Sequence, residues 1–436
     1  MLSDPEITPR KKQPDDSRVH KLPSELLLRI FLIGEEIDRA ARPRELWYLG
    51  MQDIVTQVCS HWRDIAVNCP MLWTHIHITR PGPRHLASVY LARAGAVTLL
   101  DINIEMRARY YNGLEIGDDD WKHQRAAVPE ILYFLDSCGA PVSRWKSLSV
   151  SALEPDVLLK FIGTLCAEAA PALRFLSCRL SRLVSVSSED RIIRDPQYSS
   201  DFYQLSPFVV PSLRCVELDR LPWSYVFDRP PPVFAGLTEL RLTSGATLSS
   251  PAQLQELLSF NPQLEVLSLS TSDTSYEVLN NLEPVSQRIR MQQLNTLSVN
   301  TIMNLSWALS VLQLIEAPVL KRLSLSSFVS TKAEDVQIPD LCRFICTHPS
   351  GDSALNEFQS PSIHELDIHN FLLRREQVVD IFTCWPSITR LYANRAQLET
   401  LWDPLLLPNL SYLKVHFKPH PQLGRILSPG RLQGAQ

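Results

Sequence analysis

Apolar residues fall at two different periods along this chain, one helical near the N-terminus and one strand-like over most of the remainder. From Trp145 onward an apolar residue recurs at offsets of three and then two positions: Trp145/Leu148/Val150, Leu173/Leu176/Cys178, Leu213/Val216/Leu218, Leu237/Leu240/Leu242, Leu264/Leu267/Leu269, Leu294/Leu297/Val299, Leu320/Leu323/Leu325, Ile363/Leu366/Ile368, Ile388/Leu391/Ala393 and Leu410/Leu413/Val415. The first positions lie 28, 40, 24, 27, 30, 26, 43, 25 and 22 residues apart. Most intervals therefore match the length of about 20 to 29 residues in which a strand and the segment after it form one repeating unit. Amphipathic segments fill several intervals, at Asp156 to Ala169, Pro251 to Phe260, Asn304 to Glu316 and Arg375 to Cys384, and Pro171, Pro262, Pro318 and Pro386 close them. Neither strand nor helix buries its apolar face alone, so the units are expected to stack with their strands in one parallel sheet.

Side chains alternate across a strand, so the residues between the apolar positions share the opposite face. Phe175, Glu217, Glu239, Arg241, Ser268, Ser298, Arg322, Ser324, Glu365, Asp367, Arg390, Tyr392, Tyr412 and Lys414 are expected there. Both charges, with aromatics toward the C-terminal end, suit a protein partner more than a polyanion. The candidate target contacts are Phe175, Arg241, Arg322, Arg390, Tyr392 and Tyr412.

The N-terminal signal is helical. Leu22, Leu26, Leu27, Ile30 and Phe31 fall on one face, with Pro23 suited to a first turn. Beyond a Gly34 to Gly50 segment, Ile54, Val55, Val58, Trp62, Ile65 and Ala66 form the stripe of a second helix that stops before Asn68-Cys69-Pro70. Met71-Leu72-Trp73 makes an apolar knuckle, and Ile76 and Ile78 an alternating strand. So small a helical group is marginal alone and suggests a docking module.

Leu22-Pro23 through Phe31, Val58-Cys59-Ser60-His61-Trp62-Arg63 and Pro70-Met71-Leu72-Trp73 resemble the F-box in order and spacing. The later triplets resemble the divergent leucine-rich repeats of fungal-type F-box proteins, although the usual Asn or Cys slot holds Leu221, Gly245, Ser272, Ile302, Phe328 and Phe371. The resemblance implies an α/β fold: a three-helix F-box followed by an irregular leucine-rich-repeat solenoid, with a parallel sheet lining a curved arc and helices outside. The expected divisions are a disordered tail (1–20), the F-box (21–78), degenerate first units and linker (79–144), the solenoid (145–418) and a flexible tail (419–436). Val97/Leu100/Ile102 repeats the triplet spacing within the degenerate part. The implied function is target recognition in an SCF-type cullin-RING ubiquitin ligase. A Skp-family adaptor would dock on or be supported by Leu22, Pro23, Leu26, Ile30, Phe31, Val58, Cys59, Trp62, Leu72 and Trp73, and cullin would follow through the adaptor. A non-ligase interaction scaffold is the alternative.

Composition narrows the partners further. The 436 residues are 45% hydrophobic and 21% charged with a formal net charge of -4, which gives no basic field for nucleic acid. The run from Val97 to Ile104, broken by Asp101, is far short of the roughly 18 apolar residues of a membrane span. Nine cysteines without a C-x-x-C pair fit free thiols in the cytoplasm or nucleus. Arg10, Lys11 and Lys12 form a basic triplet compatible with nuclear import but common in polar tails. No enzyme, cofactor or metal is expected. Cys342 and Cys346 sit on an apolar stripe with His348 beyond it, and Asp118-Asp119-Asp120 lacks a calcium loop's glycine and reads as a solvated turn. His75 and His77 share a strand face with no carboxylate nearby in sequence, and alternation separates His364 from His369. The Ser326 to Pro361 insertion holds an apolar helix candidate, Ile338 to Cys346, and Ser181 to Ser206 reads as a loop.

Overall fold

The structure, a computed structural model, describes residues 22–41, 50–80, 84–106, 118–168, 170–181, 210–221, 234–244, 250–271, 288–300, 305–326, 363–369, 373, 375–398 and 406–416. The two expected tails, the Ile338 to Cys346 helix with His348, nearly all of the Ser181 to Ser206 segment and the slots at 245, 272, 302, 328 and 371 lie outside the described residues.

Twelve parallel strands pair in chain order: β1 (His75–Arg80), β2 (Leu100–Met106), β3 (Trp145–Ala152), β4 (Phe175–Leu180), β5 (Cys215–Asp219), β6 (Glu239–Ser244), β7 (Val266–Thr271), β8 (Thr296–Asn300), β9 (Arg322–Leu325), β10 (Glu365–Asp367), β11 (Arg390–Asn394) and β12 (Tyr412–His416). The second apolar position of every triplet is in register with the next, through Leu148, Leu176, Val216, Leu240, Leu267, Leu297, Leu323, Leu366, Leu391 and Leu413. Ile76 and Ile102 continue the row toward the N-terminus. All of them are buried except Leu413, 42% exposed on the terminal strand. Val97 likewise departs from its expected place and is 91% exposed, so only Leu100 and Ile102 of that triplet reach the core.

The same hydrogen bond precedes strand after strand. Arg214 N–H donates to Arg174, Thr238 to Arg214, Glu265 to Thr238, Asn295 to Glu265 and Lys321 to Asn295, at 2.8 to 2.9 Å. A turn sets this geometry at several units: Leu173 N–H reaches Ala170 O and Ile388 N–H reaches Trp385 O, with Pro171 and Pro386 second in their turns. Proline fixes φ there and has no N–H to leave unsatisfied.

Helices α1 (Ser24–Ala41), α2 (Met51–Val58) and α3 (Ser60–Val67) precede the sheet; α4 (His85–Ala94), α5 (Asp118–Ser137), α6 (Pro155–Ala167), α7 (Pro251–Ser259), α8 (Leu305–Leu314) and α9 (Arg375–Cys384) lie between strands. The last four begin and end near the segments that the apolar spacing predicts. The N-terminal region differs in two ways. α1 runs on through Gly34, where a side chain would meet Met51 at 2.9 Å, so glycine admits the start of α2. The expected second helix breaks at Cys59, whose extended backbone ends α2 and whose sulfur accepts from Trp62 N–H to cap α3. Asp118-Asp119-Asp120 opens α5 instead of forming a turn. Among the described residues no helix is long and apolar enough to cross a membrane.

Polar groups buried between units are matched individually. Gln124 accepts from Leu153 N–H and donates to Met106 O, Asn261 accepts from Leu237 N–H and donates to Phe234 O, and Gln397 accepts from Asn394 N–H and donates to Ile368 O. Arg144 donates to carbonyls of Gly95, Thr98 and Gly139; both glycines have positive φ just beyond the ends of α4 and α5. One guanidinium thus satisfies carbonyls that two helix ends would leave bare. Between α5 and α6, Arg125 lies 2.8 Å from Glu154 and 2.6 Å from Asp156. Burial raises both carboxyls above their usual range against the opposing pull of Arg125.

Arg125→Ala is expected to destabilise the chain by roughly 3 kcal/mol at neutral pH, because two buried carboxylates lose their cation. A carboxyl whose folded pKa is raised contributes fully below its unfolded pKa and loses that contribution as pH rises through the folded value. The deficit should therefore shrink on acidification, as both groups become neutral; urea unfolding across that pH range measures it.

Candidate functional site

Trp73 holds the helical module to the sheet. It ends a short 3-10 turn (Pro70–Trp73), is fully buried, and donates from Nε1 to Ala66 O at 2.8 Å. Tyr90 packs edge-on at 5.2 Å, and the Arg93 guanidinium lies 4.2 Å from the ring centroid. Tyr90 Oη in turn donates to Asp53, the carboxylate that accepts from Gly50 N–H at the start of α2. A second tie runs through Arg39, which pairs with Glu35 on its own helix and with Asp101 on β2 at 2.8 Å. Burial lowers the Arg39 pKa, but the Glu35 and Asp101 carboxylates outweigh it and leave the pKa raised.

With Leu27, Phe31, Leu72 and Trp73 buried, the outer side of α1 carries a second apolar stripe. Leu26, Ile30, Ile33 and Ile37 are spaced four, three and four residues apart and are 48% to 63% exposed. That spacing keeps all four on one face. Ile54 and Val58, one turn apart on α2, and Met71 are exposed as well. Trp62 is half-buried against Phe31 at 4.9 Å, and its indole N–H has no acceptor among the described residues.

Residues 19–79 match the F-box-like family. The chain carries an F-box-like domain. A search among curated proteins returned no match. The match ends within β1, so the F-box-like domain supplies the first strand of the sheet and shares its core.

The expected adaptor contacts separate by depth. Pro23, Leu26, Ile30 and Val58 are exposed, Leu22, Cys59 and Trp62 half-buried, and Phe31, Leu72 and Trp73 lie in the core as support. Treating 22 to 31 as one face merged two opposite faces of α1. Ile33 and Ile37 were missed although their spacing continues that of Leu26 and Ile30, because Gly34 reads as a helix end.

The second surface is the polar face of the sheet. Register brings Arg322, Glu365, Arg390 and Tyr412 side by side across β9 to β12, with Glu365 2.9 Å from Arg322 and 3.9 Å from Arg390. Tyr392 lies 5.8 Å from Tyr412. Four of the six candidate target contacts thus meet at the C-terminal end. Arg241 sits three strands away with Glu217 and Glu239, and Phe175 is farther still on β4. The middle is hydroxyl-rich, with Ser268 and Ser298 aligned.

The remaining polar clusters are modest. His77 lies 3.5 Å from Glu105, a carboxylate distant in sequence that arrives from the neighbouring strand. His369 pairs with Asp367 and stacks at 4.0 Å on His416, whose pKa burial and then the His369 charge lower. Cys178 and Cys215 thiols are pushed up to about 12, chiefly by burial, which keeps both protonated. Among the described residues no three His, Cys, Asp or Glu side chains gather as metal ligands would.

Trp73→Ala is expected to cost roughly 3 to 5 kcal/mol through the cavity it leaves, whereas Ile30→Gln on the exposed stripe should change stability by less than about 0.5 kcal/mol. Denaturant midpoints of the two variants against the unchanged chain test this separation of support from surface.

Proposed function

We propose that this chain is the target-recognition subunit of an SCF-type cullin-RING ubiquitin ligase, with the F-box-like domain docked on a Skp-family adaptor and the strand stack acting as a leucine-rich-repeat solenoid that holds the target. The observation that carries this reading is the exposed stripe of Leu26, Ile30, Ile33 and Ile37 on an F-box-like helix whose opposite side is already buried. Burying the remaining apolar area of such side chains contributes roughly 1 kcal/mol each, and an interface needs a few large anchors of this kind.

In this reading the chain performs no bond-making itself. The adaptor leads to cullin and to a charged conjugating enzyme, while the sheet face holds the target at high effective concentration nearby. Trp73 and Arg39 matter here because they join the docking helix to the sheet, so that the separation of the two surfaces is set by the fold. The cytosol or nucleus is the setting in which such a ligase works.

Ile30→Glu combined with Ile33→Glu should abolish co-purification of the Skp-family adaptor while leaving the folded signature in circular dichroism, and Arg322→Glu should leave adaptor capture intact. Recovery of the adaptor without cullin would overturn the ligase form and leave a non-ligase scaffold.

A further inference from the structure

The polar sheet face is charged unevenly. On β5 and β6, Arg241 is shared by two carboxylates, Glu217 at 3.6 Å and Glu239 at 2.5 Å, and next to them Arg179 and Asp219 cancel each other at 3.0 Å. That end carries an excess negative charge. On β9 to β12 the balance is inverted: Glu365 lies between two guanidiniums, Asp367 is engaged by His369, and the Arg322 and Arg390 side chains are 51% and 58% exposed. Lys414 on β12 adds a third exposed cation, and Tyr392 and Tyr412 stand between these groups as a pair of rings. From β5 to β10 is five strand steps, or about 24 Å at the usual spacing, so the two ends are separated by more than a Debye length at physiological salt, roughly 8 Å.

We infer that the β9 to β12 end of this face takes a short acidic segment of the target protein, its carboxylates on Arg322, Arg390 and Lys414 and an apolar or aromatic side chain against Tyr392 and Tyr412. This rests on the reading of the sheet as the target surface and adds the chemistry of the signal. Arginine reads carboxylates through paired N–H donors, and tyrosine supplies rigid contact area at small entropic cost. The negative β5 to β6 end disfavours a long polyanion lying along the whole face, which selects an acidic peptide over a nucleic acid. A segment of about eight residues, extended over roughly 26 Å, suffices.

Fluorescence anisotropy with the full chain and two labelled peptides of about that length tests the inference, one rich in glutamate with a single tyrosine and one with lysine at the glutamate positions. The glutamate peptide should bind and the lysine peptide should not. Arg390→Glu with Lys414→Glu should weaken binding about tenfold, Glu217→Lys should leave it unchanged or strengthen it, and raising salt from ~0.05 to ~0.5 M should weaken it severalfold. Preference for the lysine peptide, or glutamate-peptide binding that survives the double reversal, would overturn it. A photo-crosslinking residue at Ser298, in the neutral middle of the face, reports on the target reading separately. Target capture there without glutamate-peptide binding overturns the acidic segment alone, and no capture by a crosslinker at Ser298 or Tyr412, again without glutamate-peptide binding, overturns both.

Discussion

Parallel pairing of twelve strands in chain order, with one register shift between β2 and β3, constrains everything else in this molecule. A slip of one residue in any pair would exchange faces, sending a leucine outward and a charged residue into the core. The hydrogen bond that precedes most strands, several of them after a turn with proline second in it, removes that freedom before the strand begins. Because the leucine row is fixed on the covered face, the charged row is fixed on the open one, and the Arg322–Glu365–Arg390 alignment follows from backbone pairing alone.

The joint between helices and sheet is built with the same economy. Trp73 is bonded to α3, packed on α4 and, through Tyr90, linked to the start of α2, while β1 follows it immediately. A buried aromatic with its N–H satisfied transmits position rather than flexing. The F-box-like domain is therefore continuous with the sheet, and its outer apolar stripe stands at a fixed separation from the polar face.

Where the repeat pattern is irregular, buried amides and one arginine replace a regular ladder. Gln124, Asn261 and Gln397 each bridge backbone groups of successive units, and Arg144 covers two glycine-terminated helix ends. Each satisfies donors or acceptors that would otherwise be buried bare, a cost of about 1 to 3 kcal/mol apiece. Such residues come from different positions in different units, so no spacing in the sequence announces them.

The sequence by itself determined the order of elements and the division of faces. A three-then-two apolar spacing repeated at unit length has one economical solution, stacked strands with their leucines aligned, and the alternation of side chains then names the open face, including Arg322, Arg390, Tyr392 and Tyr412. Only the tertiary structure decided which of those residues meet. It gathered four at one end and set Arg241 and Phe175 apart, because neighbours across a sheet are about a unit length apart in sequence. It also decided that α1 has two apolar sides. Leu27 and Phe31 pack inward while Leu26 and Ile30 face out, a distinction that depends on where α3 and Trp73 lie and that helical periodicity, which sees only one broad stripe, does not contain.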